Sequence, residues 1–188
     1  MILAGGGSRR MGRDKLSLEV GKVSLLERVE GVLQTFCSEV VVAGDGGPKL
    51  RGVRRVHDSR PGGQGPLAGL EAGLKASRSR VVFAAAGDMP FLSAKLALHL
   101  CGRVRNELLG VAPVRGGRTH PLCAAYDREV LADVSAALDG GERSIVGFLS
   151  TLGRVEYVEG GLEEFGDPGV FLMNVNTPED LERARSLA

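Results

Sequence analysis

The chain has 188 residues, of which 43% are hydrophobic and 25% charged, and its formal net charge is +1. That length suits one domain over 1–188 with its own core, and the near-zero charge argues against nucleic-acid or membrane partners, both of which draw on a basic surface. No apolar run approaches the roughly 20 residues that span a bilayer, no leader peptide is visible, and the widely spaced Cys37, Cys101 and Cys123 fit buried thiols in a cytoplasmic setting better than a disulfide frame.

The first candidate strand is Ile2–Ala4, which falls below the usual length of about five or six residues. Two readings stand: a chain that begins upstream of Met1, or a short strand. Next comes "AGGGSRRMGRDK", three glycines followed by Arg9, Arg10, Arg13 and Lys15. Leu16, Leu18 and Val20 then alternate with polar residues, so no helix is expected directly at the loop. Ser24-Leu-Leu-Glu27 is a capping box that opens a helix with Leu25, Leu26, Val29, Val32, Leu33 and Phe36 on one face.

Further strands are expected at Glu39–Ala43, Val53–His57, Val81–Ala86, Gly110–Val114, Leu122–Tyr126 and Val155–Val158. Most are apolar nearly throughout, as strands covered on both faces are. Pro66 suits the first turn of a helix carrying Leu67, Leu70 and Leu74. Ser93 can cap a helix to about Arg105, and Asp127 one to Leu138. Thr177-Pro178 opens the last helix, with Glu179 and Asp180 near the positive end of its dipole. This alternation predicts a three-layer α/β/α domain with a mostly parallel, Rossmann-like sheet. Ligands of such sheets bind outside the carboxyl ends of the strands, so the loops there are the places to search.

The first of those loops fails two familiar patterns. Gly7 and Gly12 have the spacing of a P-loop, but Arg13 and Asp14 stand where lysine and a hydroxyl residue belong. Gly5 and Gly7 fit a dinucleotide fingerprint, but Arg10 occupies its third glycine position, which disfavours a nicotinamide dehydrogenase. The loop nevertheless suits phosphate. Glycines let backbone N–H groups approach an anion, Arg10 can fork onto phosphate oxygens, and Lys15 supplies a mobile charge. Asp88 ends the apolar run "VVFAAAGDMP", where Pro90 blocks a regular continuation, so its carboxylate has reason to face a ligand. His57 and His99 lack metal-ligand spacing with any cysteine or histidine and read as structural. His120, beside Pro121, reads equally as a ligand-binding residue or as a ring bonded to backbone.

"LAGGGSRRMGRDK", "GPLAGLEAGL", "RTHPLCAAY" and "NVNTPEDL" together resemble the molybdopterin nucleotidyltransferases, and within them the molybdenum cofactor guanylyltransferase branch, from Leu3 to Leu181. The resemblance implies a nucleotidyltransferase sheet and a reaction in which the phosphate of molybdopterin, or of the molybdenum cofactor, attacks the α-phosphorus of GTP. The products are the guanine dinucleotide cofactor and pyrophosphate. It implies catalytic roles for Arg10, Lys15 and Asp88, with Asp88 holding Mg2+. It implies nucleotide contacts at Leu3, Ala4, Gly5, Gly6, Lys15, Asp58 and Asp88. For Asp58 a plain turn role stays open, because "HDSRPGG" is also a turn sequence.

Asn174 and Asn176 alternate in an extended stretch, and the resemblance, with their amide chemistry, assigns them and His120 to the pterin. It also leaves room for transient contact with proteins that deliver or accept the cofactor. The chain departs from the family after its second strand, where an asparagine often contacts the nucleotide and this sequence has Ala43-Gly44. Leu3-Ala4-Gly5-Gly6 matches the guanine-using "LAGG" pattern and not the cytosine-using "LAAG". The competing readings are a cytidylyltransferase for the same pterin, nucleotidyl transfer to another phosphorylated acceptor, and an inactive nucleotide-binding module.

Overall fold

Short apolar strands and helices with one apolar stripe bury both kinds of surface by stacking in layers. The structure, a computed structural model, describes residues 1–5, 14–58, 60 and 64–188. In chain order these form β1 (Ile2–Leu3), a 3-10 turn (Lys15–Ser17), β2 (Glu19–Val20), β3 (Val23–Ser24), α1 (Leu25–Gln34), β4 (Val41–Ala43), β5 (Arg54–Val56) and α2 (Gly65–Ala76). There follow β6 (Val81–Ala86), α3 (Ala94–Arg103), β7 (Gly110–Arg115), β8 (Arg118–Thr119), β9 (Cys123–Asp127), α4 (Leu131–Asp139), α5 (Ile145–Thr151), β10 (Val155–Val158), α6 (Pro168–Phe171) and α7 (Pro178–Ser186). Among the described residues no helix is long and apolar enough to cross a membrane.

The main sheet runs β10-β7-β9-β6-β1-β4-β5, with β8 paired to β7. Along that path only β9 is antiparallel to its neighbours, so the expected mostly parallel α/β/α architecture holds. Strand alternation separates two cores. One face presents Ile2, Val42, Phe83 and Ala85 to the apolar sides of α1 and α3. The other presents Leu3, Val82, Ala84 and Tyr126 to α2, α4 and α5. Period-two side chains on the strands and helical stripes in the covering layers account for both.

The helix signals act as read. Ser24 and Glu27 form both halves of the capping box on α1, and Thr177 and Asp180 do the same on α7. Leu67, Leu70 and Leu74 of α2 are fully buried. Four details differ from expectation. After the glycine loop the chain makes one 3-10 turn before it extends, because Asp14 accepts a hydrogen bond from the Leu16 N–H at 3.2 Å and caps that turn. The extended stretch then folds back as the β2–β3 hairpin, where Val20 packs with Val175, Leu181 and Ala184 in a small third core. Asp127 caps a 3-10 turn at Arg128–Val130, and the α-helix begins only at Leu131. The helix α5, capped by Ser144, was not expected from the sequence.

β1 lies where the strand order reverses. The chain steps from β1 outward through β4 to β5, then returns to β6 on the opposite side of β1. The carboxyl ends of β1, β4 and β6 therefore meet at one crevice, the usual ligand position in such a sheet. The exits are tied together: the Gly87 N–H donates to the Leu3 carbonyl at 3.0 Å, and the Gly46 N–H to the Ala4 carbonyl at 2.8 Å.

Gly44 makes this closeness sterically feasible. Its φ is +113°, and a Cβ placed there would lie 2.6 Å from the Gly5 nitrogen and 2.7 Å from the Ala4 carbonyl carbon. A side chain would thus meet backbone and also strain its own conformation, which alone costs roughly 1–3 kcal/mol. Gly44→Ala is expected to lower unfolding free energy by at least that amount in urea denaturation, with a change within about 0.5 kcal/mol contradicting the close approach.

Candidate active site

The end of β6 carries Asp88, whose side chain is only 12% exposed. A carboxylate so placed needs partners. Lys15 Nζ donates to its Oδ2 at 2.5 Å, and Asn174 Nδ2 donates to its Oδ1 at 2.8 Å. The Asp88 carbonyl accepts from the Val175 N–H at 2.9 Å, which lays residues 174–176 alongside the end of the strand. Asn176 Oδ1 accepts from Lys15 Nζ at 3.0 Å, so the two asparagines and the two charged groups form one connected set. The small core around Val20, Val175 and Leu181 holds the segment there, because it ties α7 and its approach to the β2–β3 hairpin.

The entry to the lysine is fixed as well. Asp14 Oδ2 accepts from the Gly47 N–H at 2.7 Å and from Ser17 Oγ at 2.8 Å. The chain leaving the first loop is therefore clamped to the loop after β4. Sequence reasoning passed over Asp14, whose signal was its place immediately before a turn and Lys15.

At the end of β1, Leu3 and Ala4 are buried and Gly5 is exposed. The Ala4 N–H donates to the Ala43 carbonyl at 2.8 Å, and its carbonyl is taken by Gly46. A ligand reaching this strand end therefore meets Gly5 first. A Cβ on Gly5 would have nothing within 4 Å among the described residues, and Gly5 is not in the left-handed region. Gly6 and Arg10 lie outside the described residues.

Asp58 follows β5 and is exposed. Its Oδ1 accepts from the Arg60 backbone N–H at 2.8 Å, a local turn bond of the kind its sequence context allows. His57, read as structural, lies in an exposed pair with Asp45 at 2.9 Å, while His99 packs on Phe165 with ring centroids 4.8 Å apart.

His120 is half-buried after β8. Its backbone N–H donates to Pro113 and its carbonyl accepts from Cys123. Burial lowers its pKa first, and the charges of Arg118 and Arg115 lower it further, so the neutral ring is favoured. Asp88, Lys15, Asn174 and Asn176 are thus brought together, while His120 and Asp58 stand on other loops.

The donor chemistry can be tested for a divalent cation. Among the described residues no three His, Cys, Asp or Glu side chains gather as a cage. The anionic oxygen donor here is the single carboxylate of Asp88, which fits a hard divalent cation only if that ion takes its remaining ligands from water and phosphate and Lys15 gives up its contact.

Similarity to known proteins bears on the family and the fold. The model of the MobA-like NTP transferase domain matches residues 1–155. A probable molybdenum cofactor guanylyltransferase from Pelotomaculum thermopropionicum is 38% identical, covering 100% of this chain and 92% of the relative. A molybdenum cofactor guanylyltransferase from Cereibacter sphaeroides is 36% identical, covering 100% of this chain and 95% of its own. Molybdopterin-guanine dinucleotide biosynthesis protein A from Archaeoglobus fulgidus superposes with a TM-score of 0.81 at 25% identity, over 99% of this chain and 96% of that one. A 2-C-methyl-D-erythritol 4-phosphate cytidylyltransferase from Thermus thermophilus shares the fold, with a TM-score of 0.72 at 20% identity over 99% of this chain and 96% of that one.

The hydrogen bond from Asn174 to Asp88 gives that asparagine a role separate from the pterin. Asn174→Ala is expected to weaken magnesium-dependent GTP binding about 10-fold with no pterin present, because the carboxylate loses its orienting donor. Calorimetry with GTP and magnesium measures this; unchanged binding would mean that Asn174 does not act through Asp88.

Proposed function

This chain belongs to the MobA-like NTP transferase family, and from that premise we propose that it transfers GMP from GTP to molybdopterin or its molybdenum-loaded form. The observation that carries the reading onto this chain's own residues is the Lys15–Asp88 pair, held by Asn174 and Asn176 at the strand-order reversal beside the glycine loop. The chain works as one domain over 1–188, in the cytoplasm, with GTP and the phosphorylated pterin as its small-molecule partners.

In the reaction an oxygen of the acceptor phosphate attacks the α-phosphorus of GTP, and the bond from that phosphorus to the bridging oxygen breaks. The electron pair leaves with pyrophosphate, and the product is a dinucleotide with a new phosphoanhydride link. The nucleophile is already an anion, so no strong base is needed. What the protein must supply is alignment of two anions and stabilisation of the charge that develops between them. Mg2+, when bound through Asp88 and phosphate oxygens, supplies neutralising charge.

Lys15 can exchange its contact with Asp88 for a phosphate oxygen, since its flexible stem carries a compact charge. Arg10, on the glycine-loop segment, suits a forked contact to the phosphates. Asn176 keeps the lysine directed to the crevice, and Asn174 keeps the carboxylate fixed while the lysine moves. Asp58 meets the nucleotide from the loop after β5. His120, in its neutral form, faces the pterin side as a hydrogen-bonding group. Gly5 adjoins the base: the absent methyl leaves room for a purine, and the backbone there can read the guanine edge.

Initial-rate kinetics with GTP and with CTP, using molybdopterin and magnesium, test these roles together. Wild type is expected to prefer GTP. Asp88→Asn should keep the fold and lose about 100-fold or more in kcat/KM, as loss of a key charge-stabilising group does. Gly5→Ala should lower GTP use more than CTP use, by roughly 1–3 kcal/mol in selectivity. Near-normal turnover by Asp88→Asn would remove that residue from the mechanism, and equal losses for both nucleotides would assign Gly5 a general loop role.

A further inference from the structure

A second buried carboxylate lies outside this set. Glu71 is a buried residue of α2, a helix that also buries Leu67, Leu70 and Leu74 fully; it meets Ser135 of α4, and its side chain is 1% exposed. A carboxylate in that position would be costly unless saturated with donors. Its Oε2 accepts from Arg60 Nε at 2.9 Å, and its Oε1 from Arg60 Nη2 at 2.8 Å. Oε1 also meets Ser135 Oγ at 2.7 Å and Lys75 Nζ at 3.0 Å. The remaining arm of the guanidinium, Arg60 Nη1, donates to Asp139 Oδ1 at 2.6 Å. The guanidinium is thus gripped by α2 on one side and α4 on the other.

This grip fixes more than two helices. Arg60 follows β5 by four positions, and its backbone N–H holds Asp58 Oδ1 at 2.8 Å. Asp58 Oδ2 has no hydrogen-bond partner among the described residues and is exposed at the carboxyl edge of the sheet. A chain of bonds therefore runs from α2 through Arg60 to one oxygen of an exposed carboxylate. A side chain needed only to join α2 and α4 would not require a forked cation from the loop after β5. An apolar pair does that at least as well as a buried ionic one.

We propose that Glu71 and Arg60 are positioning residues for nucleotide binding: the buried Glu71 carboxylate fixes Arg60, and the Arg60 backbone presents Asp58 to the nucleotide. The bidentate geometry matters, because a planar fork gripped at three corners cannot rotate, whereas an ammonium on a single contact can. The inference rests on the reading that Asp58 contacts the nucleotide. Glu71 does not touch GTP; its effect is exerted wholly through Asp58.

The test is a double-mutant cycle on the full chain. GTP binding is measured by calorimetry with magnesium and no pterin, and melting temperature is recorded for each variant. Glu71→Gln keeps the side-chain volume but turns amide hydrogens towards the fork of Arg60. Arg60→Lys keeps the charge and loses the fork, and it stands in if Glu71→Gln does not fold. Each single change is expected to raise the GTP dissociation constant about 10-fold, with kcat at saturating GTP nearly unchanged. Asp58→Asn should weaken binding by at least as much. In the Asp58→Asn background, Glu71→Gln or Arg60→Lys should have no further effect on binding, although the melting temperature falls as before.

Effects that multiply in the double variants would overturn the proposal and leave the pair as a structural joint. So would single variants with normal GTP affinity beside an impaired Asp58→Asn. Normal GTP binding by Asp58→Asn itself would instead remove the reading of Asp58, and the proposal with it.

Discussion

A carboxylate that is mostly out of water has to be paired, and at the end of β6 that requirement joins three distant parts of the chain. Asp88 draws in Lys15 from the far side of the glycine loop and Asn174 from the approach to α7, 86 residues away in sequence. The contact is possible only because β1 and β6 are neighbours and because residues 174–176 lie along the strand end. The β2–β3 hairpin and α7 thus serve the site directly, since their small shared core fixes the segment that carries both asparagines. The same pairing holds a cation at the crevice, bound by Asp88 and Asn176, and gives the carboxylate a second, uncharged donor in Asn174.

The loop after β4 depends on the absence of side chains. Gly44 passes so near Ala4 and Gly5 that no Cβ fits between them. Its N–H donates to Val56 of β5, while Ala43 and Gly46 on either side of it bond to Ala4 at the end of β1. The clamp from Asp14 to Gly47 ties the same loop to the chain that leads into Lys15. On the loop after β5, the fork of Arg60 is bound to the buried Glu71 and its backbone N–H to Asp58.

Much of the fold was legible because its signals are local. Capping boxes at Ser24 and Thr177 need only three neighbouring residues, and the run Val81–Ala86 declares a covered strand by itself. Asp88 was legible for the same reason, standing at the end of that run. The rest depended on contacts between distant segments. Glu71 sits in "GPLAGLEAGL" at a position that looks like an ordinary polar interruption, and only Arg60 and Ser135 reveal why it tolerates burial. For Asn174 and Asn176 the amides suit a pterin but equally suit bonds to a loop backbone, and only the family resemblance points to the pterin. Their bonds to Asp88 and Lys15 become visible only once α7 has packed on the hairpin. The hairpin itself has two-residue strands, which carry too little alternation to announce a fold-back.

We propose that this crevice joins GMP to a phosphorylated pterin. Incubation of the purified chain with molybdopterin, magnesium and GTP labelled at the α-phosphorus, followed by mass analysis of the products, addresses it most directly. The expected product is a guanine dinucleotide of the pterin that retains the α-label, with one pyrophosphate released for each dinucleotide formed. A cytosine dinucleotide formed in preference when CTP competes, or release of pyrophosphate with no labelled pterin product, would contradict it.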